Sequence, residues 1–315
     1  MGILKDLFKP SYEPYRRNPA GISLTRSQQQ AIAVGAILTE SNCEFIDSLQ
    51  PGTAKEMKQR KQHQILDEWW EIASPQEAVD GLESLKNRGH RRIFSAILAN
   101  IPQAMGLEPT FEDFERAFNE AGLPIAGEEI TKEYPKELEL TKKHIAVFHD
   151  MADKDFTNKE FDLLMEKHAP MFGGEEALYT CLDIYGAMLD RYEQYSDYAD
   201  NLSQNFEKLQ KRGFVADVPE LATINPAAWD FGRLVNVARW CLACGYINED
   251  TAWKYIMHAK DEAARIYANW TDFARAYITG RAIWGGDSVA LDDMMDIADG
   301  LLKDETSPWR LVALK

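Results

Sequence analysis

From Pro226 to Cys244 the chain is apolar on every side of a helical wheel: Trp229, Phe231, Leu234, Val235, Val237, Trp240, Cys241 and Leu242 leave no face for solvent. Such a helix has to be wrapped by other elements, because any uncovered side keeps large apolar area in water. The feature demands a core with a helix at its centre and enough chain to surround it. With 315 residues, 45% of them hydrophobic, this sequence has the material.

The surrounding elements also read as helices. Thr25 with Gln28, Thr53 with Glu56, Thr110 with Asp113 and Thr157 with Glu160 have capping-box spacing. Ser74-Pro75-Gln76-Glu77 puts a cap, an N1 proline and an N3 glutamate in order, and that helix stops at Gly89. Gly173-Gly174 precedes a long helical stretch to Gly213, and Asn225-Pro226, Asn248 and Thr271 open the helices of the last third. Period-2 alternation bounded by hairpin turns is almost absent. The expectation is an all-α, bundle-like single body, built from an N-terminal part (1–109) and a C-terminal part (214–315), with residues 110–213 as an acidic helical insertion.

The charge is uneven. The formal net charge is −16, and residues 110–213 carry 12 basic against 23 acidic side chains. That balance repels phosphate backbones and anionic lipid heads, so it argues against nucleic acid and membrane surfaces. The longest apolar run, Ala31 to Leu38, is far short of the roughly 18 residues a membrane helix needs. The N-terminus lacks the pattern of a secretory signal, and Cys43, Cys181, Cys241 and Cys244 are too few for a disulfide scaffold; both point to the cytoplasm.

Inside the all-apolar helix the polar residues are Asp230, Arg233, Asn236 and Arg239. Asp230 and Arg233 can pair at i,i+3. Arg239 has no carboxylate three or four positions away, and Arg281, between Tyr277 and Trp284, has none either. A buried arginine needs a counter-charge, which leaves two readings. Either Arg239 and Arg281 lock onto Asp67, Glu68 or Glu71 of the Trp-rich stretch, or they line an anion pocket walled by tryptophan.

Other constellations say less. Gly89-His90-Arg91-Arg92 reads as a helix end whose basic side chains meet terminal carbonyls, and no Ser, Cys or paired carboxylate is placed by sequence to use His90 as acid or base. His144 and His149, five apart, do not share a helical face, so neither a metal ion nor a cofactor is expected. Cys241 and Cys244 lie within the apolar helix and read as core packing. Tyr179 to Tyr198 alternate with acids, so Asp183, Asp190, Tyr192, Glu193, Tyr195 and Asp197 outline a candidate docking surface for a basic protein partner.

Trp69-Trp70-Glu-Ile, Gly89-His90-Arg91, Trp229-Asp230-x-x-Arg233, Ala238-Arg239-Trp240, Gly245-Tyr246-Ile247, Trp270-x-x-Phe273, Tyr277-x-x-Gly280-Arg281-x-x-Trp284 and Ser307-Pro308-Trp309 together resemble the bacterial domain of unknown function family 1266. The resemblance covers the first hundred or so residues and the last ninety and leaves the acidic middle outside. It implies one fold built from both ends, with the buried Asp and Arg residues part of its pattern, and supplies no reaction.

Two functional expectations follow. The first is non-catalytic binding of a protein partner through the acidic, Tyr-rich middle. The second is an enzyme or receptor for a small anion that uses Arg91, Asp230, Arg233, Arg239 and Arg281, with Trp240 and Trp284 as walls. The sequence is silent on oligomeric state.

Overall fold

A computed structural model of the chain describes residues 14–21, 23–52, 61–104, 109–152, 154–285 and 288–315. Among these every regular element is a helix, so the all-α expectation holds. Two compact units form: Met1–Phe94 together with Gln204–Lys315, and Ser95–Ser203.

The capping signals became real caps. Thr25, Thr110 and Thr157 each close a capping box, and Ser74 accepts from the Glu77 N–H with Pro75 at the first helical position. The Thr53 and Glu56 pair lies outside the described residues. Asn225 works one position early: its Oδ1 accepts from Ala227 N at 3.1 Å, and Pro226 occupies the cap.

In the first unit the apolar helix is Ala227–Ala243, and every residue from Ala227 to Cys241 is buried. Glu249–Ile266, Trp270–Trp284, Pro75–Asn87, Lys61–Trp70 and Ala36–Ser41 pack around it. The Tyr267 hydroxyl pins its start, accepting from Ala228 N (2.8 Å) and donating to the Asn225 carbonyl (2.7 Å). The chain's end closes against Arg26–Ala33: Trp309 donates to the Ala33 carbonyl at 2.7 Å and stacks on Trp270 with ring centroids 5.0 Å apart.

The second unit has its own core. Phe148, Met151, Met165, Phe172, Leu178, Cys181 and Tyr185 are buried together, and Phe114, Phe118 and Tyr195 form a neighbouring aromatic group. The 37-residue helix Glu175–Lys211 supplies Leu178, Cys181, Tyr185 and Tyr195 from one side.

Candidate functional site

Asp230 organises the most polar part of the first core. Its side chain is fully buried and accepts four hydrogen bonds: His90 N (3.0 Å), Arg91 N (2.9 Å), Arg91 Nη1 (3.2 Å) and Arg233 Nη2 (2.5 Å). A carboxylate at the first N–H groups of helix Arg91–Ala104 meets the positive end of its dipole. The approach depends on Gly89. Its φ of 55° is left-handed, and a Cβ there would sit 2.0 Å from Asp230 Oδ2.

Arg233 is held from several sides. Nε donates to the Trp229 carbonyl (3.3 Å), and Nη2 reaches both Asp230 and His90 Nδ1 (2.8 Å). Trp229 and Trp70 face the guanidinium, with centroids 4.7 and 5.5 Å from Cζ. A guanidinium only donates, so His90 Nδ1 must accept and the imidazole is neutral with its proton on Nε2. Burial first, then the Arg233 charge, lowers the His90 pKa to about 4, and Asp230 opposes the shift. The Arg233 Nη1 group makes no hydrogen bond to any described residue, so this edge of a fixed cation remains unmatched.

Trp270–Trp284 brings the next groups. Gly280 lets this helix approach the central one, since a Cβ there would lie 2.5 Å from Trp229 Cβ. The Tyr277 ring meets Trp229 edge-on at 5.1 Å, and Trp284 lies 6.0 Å from Trp229. Arg281 sits over Trp284 at 5.1 Å and donates to the Gly285 carbonyl. Tyr277 Oη and Trp229 Nε1 are both buried without a hydrogen-bond partner among the described residues. Burial raises the Tyr277 pKa, and the Arg233 and Arg281 charges pull against it. The aromatic cluster thus holds two unmatched donors in the field of two guanidiniums.

Arg239 and Trp240 belong elsewhere. Arg239 is fully buried and donates to Thr39 Oγ1 (2.8 Å), the Phe45 carbonyl (2.6 Å), the Leu49 carbonyl (3.4 Å) and Asn236 Oδ1 (3.3 Å). Glu44 lies 3.7 Å from it and accepts from Trp240 Nε1 at 2.7 Å. This corrects the expected partner for Arg239, because Asp67, Glu68 and Glu71 are exposed. Arg239 is a lock between the central helix and the 39–49 segment, and its donors are occupied by protein.

Residues 65–314 match the family described as "Protein of unknown function (DUF1266)". The chain belongs to this family. No curated protein and no solved structure matches it. The DUF1266 span runs through the acidic middle, which corrects the expectation that the middle stands outside. It also divides the two arginine systems. Trp70, His90, Asp230, Arg233, Tyr277 and Arg281 all lie within the DUF1266 span, whereas the partners of Arg239 at Thr39, Glu44, Phe45 and Leu49 precede it.

The middle segment departs from its reading in one respect. Asp183, Asp190, Glu193 and Asp197 are exposed along one face of Glu175–Lys211. Tyr195 is only 1% exposed, and Tyr192 donates its hydroxyl to the Pro109 carbonyl at 2.7 Å. Tyr185, Tyr195 and Tyr198 are buried, so the exposed stripe at 183, 190, 193 and 197 is acidic without being Tyr-rich. His144 packs on Phe172, while His149 Nδ1 lies 3.2 Å from the Tyr185 hydroxyl. Cys241 and Cys244 are free thiols pushed up to about 12 and about 11 by burial, far from a reactive thiolate. Among the described residues no helix is long and apolar enough to cross a membrane.

The sequence named Arg91, Asp230, Arg233, Arg281 and Trp284, and the structure brings all five into this cluster or its edge. It did not single out Tyr277, Trp229 or Trp70 as ligand contacts. Their roles rest on which indole and hydroxyl groups go unmatched after folding, which residue spacing does not encode.

Proposed function

We propose that the Arg233, Trp229, Tyr277 and Arg281 cluster binds a small anion. The observation that carries this reading is the set of donors unmatched among the described residues: buried Trp229 Nε1 and Tyr277 Oη, and Nη1 of Arg233, on side chains that pack together through the Trp229 ring. Leaving a buried polar group unpaired costs about 1–3 kcal/mol, and what these donors lack is an acceptor. His90 and Asp230 fix the guanidinium in advance, which lowers the ordering cost of binding. Nothing in the cluster pairs a nucleophile with a base, so the reading is recognition, without a reaction assigned to it.

The test is Tyr277→Phe. In the ligand-free protein, removing an unsatisfied buried hydroxyl leaves stability unchanged or raises it by about 1 kcal/mol. The same change should abolish most of the rise in Tm that acetate or sulfate gives over chloride at matched ionic strength. No anion-specific rise in the unmodified chain, or an equal rise in both proteins, would remove the reading.

A second reading has its own observation, the exposed carboxylates at 183, 190, 193 and 197, which support docking of a basic protein partner through charge. Neutralising these four should abolish salt-sensitive capture of such a partner; capture that persists rejects it. Both readings suit a cytoplasmic protein with free cysteines.

A further inference from the structure

We propose that a cleft of the first unit, formed by residues of the 17–47 stretch and of the chain's end at 308–312, binds a free aliphatic α-amino acid. Its volume is about 200 Å³, so it takes a ligand smaller than the drug-sized molecules that fill sites of roughly 300–1,000 Å³. It shares no residue with the Arg233 cluster, and the proposal is independent of the anion reading. Arg17 and Asp47 supply the charge of the lining, and each is placed without help from the other. Ile46 N donates to the Arg16 carbonyl (2.8 Å), Asn18 N to Asp47 Oδ1 (2.8 Å) and Asn18 Nδ2 to Ser48 Oγ (3.0 Å), while Arg17 Nη2 donates to the Thr306 carbonyl (3.0 Å).

Arg17 Nη1 stands 3.8 Å from Asp47 Oδ2, too far for a hydrogen bond, and neither atom has a hydrogen-bond partner among the described residues. With side chains 49% and 33% exposed, such a pair holds weakly and opens at little cost. The cleft thus presents a donor edge and an acceptor oxygen side by side. A lone carboxylate would answer Arg17 and face Asp47, and a lone amine would do the reverse. An α-amino acid answers both, with its carboxylate at Arg17 Nη1 and its ammonium at Asp47 Oδ2. The rest of the lining selects the side chain. Ile32, Ile46 and Val312 are buried, so the apolar surface lies deepest, and Leu24, Pro308 and exposed Leu311 extend it. Gln29, also in the lining, turns its amide nitrogen to the Leu24 carbonyl (3.1 Å). No aromatic ring is among the lining residues, so the cleft offers aliphatic area to bury and no stacking partner.

Isothermal titration of the full chain with L-leucine, 4-methylpentanoate, 3-methylbutylamine, glycine and L-phenylalanine tests the class, because the second and third probes are leucine without its amino group and without its carboxylate. Leucine should bind roughly tenfold or more tighter than each of the other four. Asp47→Asn keeps an Oδ1 that can accept from Asn18 N and should weaken leucine roughly tenfold or more, as should Arg17→Gln. Tyr277→Phe should leave leucine binding unchanged. No binding of leucine, equal binding of 4-methylpentanoate or 3-methylbutylamine, or phenylalanine as the tightest probe would overturn the proposal. A loss of leucine binding in Tyr277→Phe equal to that in Asp47→Asn would also overturn it. If either cleft variant fails to fold, the ranking on the unmodified chain decides alone.

Discussion

Because Arg233 Nη2 stands 2.8 Å from His90 Nδ1, protonating His90 would set two cations against each other in a buried place. The folded protein therefore holds this histidine neutral, with a pKa of about 4 against 6.5 for the free side chain. The folded value is the lower one, so the unfolded chain takes up the proton first, and stability falls as the pH drops through the window from 6.5 to about 4. Above that window the contribution is intact; below it the loss is complete, at about 3 kcal/mol from 1.36 kcal/mol per unit. At pH 5 the loss is already about 2 kcal/mol. His90→Gln keeps an oxygen able to accept from Arg233 and does not titrate. Urea unfolding at pH 7.5 and 5.0 should show the unmodified chain losing about 2 kcal/mol more than the His90→Gln protein between the two values. Equal losses in the two proteins would refute the neutral imidazole and, with it, the fixed orientation of Arg233.

Gly89→Ala combines a left-handed φ with a Cβ placed 2.0 Å from Asp230 Oδ2, so it should cost at least about 3 kcal/mol, read as a lower urea midpoint, unlike the few tenths expected at an open glycine. Asp230→Asn removes the carboxylate that pairs with both Arg91 and Arg233 and should cost about 3–5 kcal/mol in the same assay. Arg239→Met should be far milder than Arg239→Ala in thermal unfolding, because methionine refills the apolar volume that alanine leaves empty, although both give up the bonds to Phe45 and Thr39. Neutralising Asp183, Asp190, Glu193 and Asp197 together should change thermal stability by less than about 1 kcal/mol, because all four are exposed.

The helical architecture was legible because its signals are local. A threonine three residues before Gln28, Asp113 or Glu160 closes a box within one turn, whatever the rest of the chain does. The buried centre was legible for a related reason: a wheel apolar all round has one stable placement. Partners across long separations were not legible. Glu44 answers Arg239 from nearly two hundred residues away, and the exposed Asp67, Glu68 and Glu71 could not be ranked below it by spacing. The tyrosines of the middle helix misled because alternation with acids fits a docking face and a buried face equally well. Only the packing of Tyr195 against Phe114 and Phe118 decides which face turns inward. The role of His90 depends on one nitrogen meeting a cation from another helix, a juxtaposition that Gly89 and Asp230 create and that no local pattern records.

The most direct measurement is a crystal structure of the protein grown with acetate or sulfate, refined at a resolution that separates water from the anion. Anion oxygens should stand within hydrogen-bonding distance of Arg233 Nη1, Trp229 Nε1 and Tyr277 Oη. Water alone at those three donors, or a protein acceptor already facing them, would contradict it.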